Sequence, residues 1–421
     1  MEFIKSFRSL SLTKVNVFLI IFLPISLLLG SLILNLNILI IVLIFIAECT
    51  KKKNFFLFKE KSFIFLIIIW IYLIFNSIYV GETSDSIIRA VGFIRFIFLT
   101  FAIFFYLNLD SKFYQNTIFK FWTYLFLIVS IDLIFETIFG KNILGYQSTY
   151  AGRLASFTGD ELKIGGYYFG FISLALAYFY KSNKFSFIFF CVVFFVLSLL
   201  IGERANFVKV FLIYLGFIFF IIEMSLIKKM MIFLSLSIVG LLIVINSPHL
   251  KSKYYNHIFN VYNDTKVSIN QLEPEQILKN KYFSHYYTAI NIFKNNPIFG
   301  IGLKEFRLES RKKEYSPIKG AYGQGMHPHQ IHFEILSELG IIGYILIIFN
   351  LFYIIVNVFK KHQNNIFIKS SLLFLVVSFV PIIPSGSFFT TYGAAIYWIN
   401  YSLLIATLIK KENYKKIFLI D

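Results

Sequence analysis

The sequence predicts an all-α polytopic membrane protein, with about 12 transmembrane helices and one large, partly helical loop outside the membrane. Three observations carry this. Hydrophobic residues fill 58% of the 421 positions, 54 of them Phe, and the mean hydropathy of +0.74 leaves too little polar surface for a soluble globule. Apolar runs near the roughly 20 residues that a helix needs to cross a bilayer recur from one end of the chain to the other. The positive charge is distributed unequally between alternate connections, as the orientation of membrane helices requires.

The runs fall at 14–34, 36–48, 62–80, 87–107, 118–139, 162–180, 184–201, 205–223, 229–246, 330–358, 366–384 and 390–409. With both termini on the cytoplasmic side, the segments 1–14, 48–61, 108–120, 181–184, 224–229, 359–369 and 410–421 carry 21 Lys plus Arg, whereas the short outer segments 81–86, 140–160, 201–204 and 385–389 carry three. One misplaced span would scramble that asymmetry downstream of it. MEFIKSFRSLSLTK precedes the first run with no small-residue cleavage site after it, so the first helix is expected to be retained. Cys49 and Cys191 are the two cysteines, at a cytoplasmic helix end and inside a span, and imply no disulfide framework.

This divides the chain into helices 1–9 at 1–246, an outer loop subdomain at 247–329, and helices 10–12 with a cytoplasmic tail at 330–421. The loop holds 12 Lys plus Arg against six acids, an excess that invites an anionic partner although each lysine alone reads as a solvated charge. Tyr254, Tyr255, Tyr262, Tyr282, Tyr286 and Tyr287 interleave with these cations, and 282–293 has helical spacing. Aromatic faces with Lys and Arg donors suit sugars and phosphates, and nucleic acid is not expected outside the membrane.

Arg153 and Arg204 lie at the outer membrane face, where charge is costly unless paired or used. A guanidinium fork matches phosphate bidentately; pairing with Glu203 or snorkelling is the alternative for Arg204. Arg89 and Arg95 in the fourth span match Glu136 and Asp132 in the fifth by depth, which predicts the ion pairs Arg89–Glu136 and Arg95–Asp132.

The stretch HPHQIHFEILSELGIIG at 327–343 ends the polar loop and starts a hydrophobic helix, with Pro328 marking the helix start. His327, His329 and His332 therefore sit at a membrane surface, where a residue titrating near neutrality can take a proton from a hydroxyl. HxHxxH also admits a zinc reading, but no four-ligand set accompanies it, and no metal or cofactor is expected. Gly340 and Gly343 are expected to allow close helix packing.

These residues resemble the O-antigen ligase and O-antigen polymerase superfamily of bacterial membrane glycosyltransferases. Its pattern of His, then Asn, Ser or Gln, nine residues, Gly, two residues and Gly is met by His329, Gln330, Gly340 and Gly343. NPIFGIGLKEF at 296–306, IGERAN around Arg204, RLASFTGDELKIGGYY at 153–168 and PSGSFF at 384–389 extend the likeness over about 150–400. Two departures stand out: Glu203 precedes Arg204 where Ser is usual, and Lys281 and His285 occupy a neighbourhood where many members have an arginine.

The resemblance implies a bacterial inner-membrane enzyme with its site facing the periplasm, which makes 247–329 a periplasmic loop. It would move a glycan from undecaprenyl pyrophosphate to a sugar hydroxyl with inversion and without metal. His329 would be the general base; Arg204 would hold the pyrophosphate, with Arg153, Lys281 and Arg307 as alternatives for a second cation; His327, His332 and Gln330 would support. The partners implied are a lipid-linked oligosaccharide donor, membrane lipids, and an acceptor on lipid A-core for a ligase or on a second carrier lipid for a polymerase, where a chain-length regulator would join. The span count and loop position favour the ligase. A secondary transporter or lipid-linked-sugar flippase is the reading of another class; such folds show two similar halves, which this sequence does not.

Overall fold

The computed structural model of the protein describes residues 11–109, 113–159, 163–256, 280–315, 324–361 and 364–409, with Asn413 and Ile417. Tyr262, much of 247–329, the chain start and most of 410–421 lie outside the described residues. Among the described residues the structure is helical throughout, without strands.

Every apolar run lies on a helix. In order these are α1 (Leu12–Leu28), α2 (Ser31–Lys51), α3 (Lys61–Tyr79), α4 (Ser84–Gly92), α5 (Ile94–Leu109), α6 (Phe113–Phe139), α7 (Ile164–Ser182), α8 (Lys184–Leu200), α9 (Arg204–Gly216), α10 (Leu226–Asn246), α11 (Lys281–Asn295), α12 (Ile331–Lys360), α13 (Ile366–Ser378) and α14 (Thr391–Leu408). Among the described residues, seven helical spans are long and apolar enough to cross a membrane: α2, α3, the α4–α5 pair, α6, α9 with its continuation to Ile221, α10 and α12. The apolar helices α1, α8 and α13 are shorter. The chain is thus a multi-pass membrane protein.

Burial explains why α7 and α14 are less apolar than their neighbours. Both are enclosed along most of their length, so they meet protein rather than lipid and can carry small and polar residues. Gly170 lies against Ile396, and the Asn400 amide donates to the Gly170 carbonyl at 3.1 Å. In contrast, α10 buries only Leu236 and Gly240 and turns its apolar side chains outward.

The two expected ion pairs between the fourth and fifth spans do not form. Arg89 pairs with Asp85 one turn earlier at 3.4 Å, and Arg95 donates to the Gly92 carbonyl and to Thr391 Oγ1. Asp132 and Glu136 instead accept hydrogen bonds from the loop after α6. Asp132 takes the Ile143 N–H at 2.8 Å and the Ser156 hydroxyl at 2.6 Å; Glu136 takes the N–H groups of Ala155 and Ser156 at 2.9 and 2.7 Å. Depth matching along two helices could not foresee this, because unpaired backbone donors of a buried loop are as good a partner for a carboxylate as a guanidinium. Two intramembrane acids therefore hold the loop that carries Arg153.

Gly340 does more than permit packing. It breaks α12 with φ +65° and ψ −170°, a conformation open to glycine. The segment 296–306 fits into the break: Ile341 N–H donates to the Pro297 carbonyl at 2.9 Å, and Gly302 N–H donates to the Glu338 carbonyl at 2.9 Å. A Cβ at Gly340 would stand 2.2 Å from the Ile298 oxygen. The Asn76 amide of α3 donates to the Phe299 carbonyl, and Thr83 donates to Glu305, so α3 and the start of α4 clamp the same segment. Gly343 faces Tyr72 of α3.

Candidate active site

The histidines gather where α11 docks on the start of α12, with the Tyr286 ring tilted against that of Phe333 at 4.9 Å. His329 occupies the left-handed region at φ +58°, and its carbonyl accepts the Ser385 N–H at 2.7 Å, which ties it to the PSGSFF turn. Its ring lies 4.2 Å from that of His327, 5.1 Å from that of His285 and 5.8 Å from that of Tyr282, centroid to centroid. The third imidazole of the cluster is thus His285 of α11, not His332.

Burial and nearby charge keep the rings of His329 and His327 neutral. His329 is pushed down to about 3, by burial first and then by the charges of His327, His285 and Lys281; His327 falls to about 4, by burial and then by Lys304 and His285. A half-buried neutral imidazole retains a lone pair that can accept a proton. Lys281, at the first turn of α11, stands close enough to oppose His329 protonation.

Beneath the histidines lies a buried charged network that joins three separate parts of the chain. Lys304 Nζ donates to Ser387 Oγ at 2.8 Å and lies 3.6 Å from Glu334. Glu334 accepts from the Ser387 hydroxyl and from the Phe388 N–H at 2.8 Å, and Glu338 accepts the Lys304 N–H at 2.8 Å. The two acids are within 1% of fully buried, so the segment 300–306, α12 and the turn 384–389 are locked together by groups that are costly to leave unpaired.

A second cluster is cationic. Arg153, Arg204 and Lys253 lie within electrostatic reach of one another, with Glu203 the nearby acid. Lys253 donates to the Gly152 carbonyl, and Arg204 reaches the Lys253 carbonyl at 3.5 Å. Lys253 is lowered to about 8 by burial and then by Arg153 and Arg204. Glu203 does not pair with Arg204. Its carboxylate is raised by burial and is hydrogen-bonded by the Asn206 amide and the Gly165 N–H. Tyr282 connects the clusters, since its ring packs on His329 and its hydroxyl lies within electrostatic reach of Arg204.

The remaining residues singled out from sequence have other engagements. His332 has both ring nitrogens bound, to Tyr344 Oη at 3.0 Å and to the Phe379 carbonyl at 2.8 Å; the carbonyl requires an Nε2–H, so Nδ1 accepts from the tyrosine. Gln330 caps α12 by accepting from the N–H groups of His332 and Phe333 at 2.7 and 3.1 Å. Arg307 pairs with Asp85 at 2.8 Å. Among the described residues no group of three His, Cys, Asp or Glu side chains is arranged to hold a metal ion.

Sequence reasoning missed Lys253 and Lys304 as parts of the site. Lys253 sat inside a basic, tyrosine-rich run in which every lysine looked alike, and its contact with Gly152 lies 101 residues away. Lys304 was visible only as part of NPIFGIGLKEF, with nothing to mark it for burial.

No curated protein matches the chain. Residues 164–348 match the family model described as O-antigen ligase, a stretch that runs from α7 into α12 and contains Arg204, Lys253, His285, Lys304, His327 and His329. Over this stretch the chain is similar to the O-antigen ligase and O-antigen polymerase superfamily, which supports the resemblance carried by His329, Gln330, Gly340 and Gly343.

Proposed function

We propose that the protein transfers a glycan from a lipid pyrophosphate to a sugar hydroxyl, as an O-antigen ligase, at the outer face of a bacterial inner membrane. The observation that carries this reading is the adjacency of neutral imidazoles to a cation cluster, with Tyr282 between them. His329 takes the proton of the acceptor hydroxyl as that oxygen attacks the anomeric carbon. The bond from that carbon to the pyrophosphate oxygen breaks on the opposite face, so the configuration inverts. Arg204, Arg153 and Lys253 receive the charge that develops on the leaving pyrophosphate. Lys281 adds positive charge beside the base; Arg307, paired with Asp85, is a scaffold residue in this scheme. The acceptor is lipid A-core sugar, the donor is carried on undecaprenyl pyrophosphate, and both chain termini are cytoplasmic.

Purified protein in detergent, given a lipid-linked oligosaccharide and a lipid A-core acceptor, is expected to yield a single transfer product without any membrane gradient. A ladder of lengthened carrier-linked glycan would instead assign a polymerase, and no product without a gradient would point to transport.

Two further outcomes follow from the geometry. Arg204→Lys keeps the charge but loses the bidentate fork, so kcat/KM is expected to fall by about 10–100-fold, the range of one to two charge-assisted hydrogen bonds. The pH profile is also unusual for a histidine base. With His329 near 3 and His327 near 4 in the free enzyme, and Lys253 still largely charged below about 7, kcat/KM should stay flat from about pH 7 down to about 5, where an unperturbed imidazole would be about 97% protonated. The bound pyrophosphate raises the imidazole, so the acid limb of kcat lies above that of kcat/KM. An acid limb of kcat/KM near 6.5 would contradict the burial of the base. The sign for stability is opposite: unfolded chains take up these protons below about 6.5 and the folded one does not, so stability declines as pH falls from there.

A further inference from the structure

The end of the bundle remote from the histidines contains a cavity that the transfer reaction does not use. α7 connects the two ends. Near its start, the Lys163 carbonyl accepts from Tyr392 and Gly165 abuts Glu203 beside the cation cluster; its 19 residues then carry Lys181 and Ser182 about 28 Å away. There the last turn of α7, the first turns of α6 and the start of α13 enclose about 320 Å³, at the lower end of the size range of small-ligand pockets.

The chemistry of the walls is specific. Lys120 and Lys181 supply two ammonium groups, and Asn116 supplies an amide. Among the described residues neither lysine has a carboxylate within ion-pair distance; each instead lies against an aromatic face, Lys120 on Tyr124 at 5.6 Å and Lys181 on Phe367 at 5.7 Å. Thr117 and Ser182 spend their hydroxyl protons on the Phe113 and Tyr178 carbonyls, so the donors left for a ligand are the two lysines, the Asn116 amide and the Tyr178 hydroxyl. Phe119 stacked on Phe367 at 3.9 Å makes a rigid apolar floor. A cavity with two cationic donors, no acidic wall and an apolar base selects an anion, and the anion best matched to ammonium groups of this kind is a phosphate.

A second observation separates a lipid from a free anion. Below the cavity, α6 exposes Tyr124, Ile128, Ile131 and Phe135 at i, i+4, i+7 and i+11, one continuous apolar stripe that starts where the lysines end. The polar cavity is therefore continuous with a surface for hydrocarbon chains. We propose that this cavity holds the phosphodiester headgroup of an anionic phospholipid, with its acyl chains along the α6 stripe. Such a lipid bridges α6, α7 and α13 at the end opposite the transfer site, and its binding is independent of the reaction proposed above.

The test uses full-length protein as wild type, as Lys120→Ala/Lys181→Ala and as Lys120→Arg/Lys181→Arg, each titrated with phosphatidylglycerol or with phosphatidylcholine of the same chains. Bound lipid is counted by native mass spectrometry and the melting temperature is followed alongside. Wild type and the arginine variant are expected to retain one phosphatidylglycerol and melt higher with it. The alanine variant should bind it about thirtyfold more weakly, from loss of two interfacial cations, while melting like the wild type in its absence. Equal phosphatidylglycerol affinity in the wild type and the alanine variant would overturn the proposal, as would equal retention of phosphatidylcholine. Full displacement of phosphatidylglycerol by inorganic phosphate would assign the cavity to a free anion instead.

Discussion

Replacing His329 with asparagine is expected to lower glycan transfer by about 10²–10⁴-fold, the range of general acid–base catalysis, with protein levels in the membrane unchanged. Asparagine is the informative replacement because residue 329 sits at φ +58°, which asparagine tolerates as histidine does and a β-branched residue does not. The Ser385 N–H bond to the residue 329 carbonyl survives the change, so the turn 384–389 keeps its place. Loss of activity then reports the imidazole rather than the backbone. His332→Phe makes the contrast, since both nitrogens of His332 are already bound within the protein and its loss should act on stability more than on turnover. Wild-type transfer by the asparagine variant would move the base to His327 or His285, the two rings that pack beside it.

Lys304→Met is expected to destabilise the protein by about 3–5 kcal/mol, the cost of leaving buried charge uncompensated. The substitution removes the one cation seen beside Glu334 and the donor to Ser387, while both Glu334 and Glu338 stay enclosed. Thermal unfolding in detergent measures the loss. The double variant Lys304→Met/Glu334→Gln should recover part of it, because a neutral amide can still accept the Phe388 N–H without demanding a counter-charge. If single and double variants melt alike, the pair is not what holds the turn 384–389. Activity should fall in Lys304→Met as well, because Ser387 and Phe388 lie on the turn whose Ser385 positions His329.

How far the sequence could lead is clearest at particular residues. His329, Gln330, Gly340 and Gly343 were legible as a spaced pattern, and the spacing marked the residue that the structure places at the centre of the imidazole cluster. The same pattern could not separate roles: Gln330 is a helix cap and His332 a doubly bonded core residue, because what a side chain faces depends on α11, Tyr344 and Phe379, elements distant in sequence. Depth arithmetic placed Arg95 and Asp132 at matching levels, yet the acid spends its lone pairs on a loop eleven and twenty-four residues further on.

By itself the sequence determined the solvent, the helical class, the position of nearly every apolar helix and the histidine that lies at the start of α12. These follow from local composition, since a bilayer requires each spanning segment to satisfy its own backbone and to be apolar over its own length. Only the tertiary structure decided which cations share a cluster, why α12 breaks at Gly340 to receive the segment 296–306, and that Lys304 is buried between two acids. Those outcomes rest on contacts between residues tens to hundreds of positions apart, where burial and charge are set by the neighbour and not by the residue.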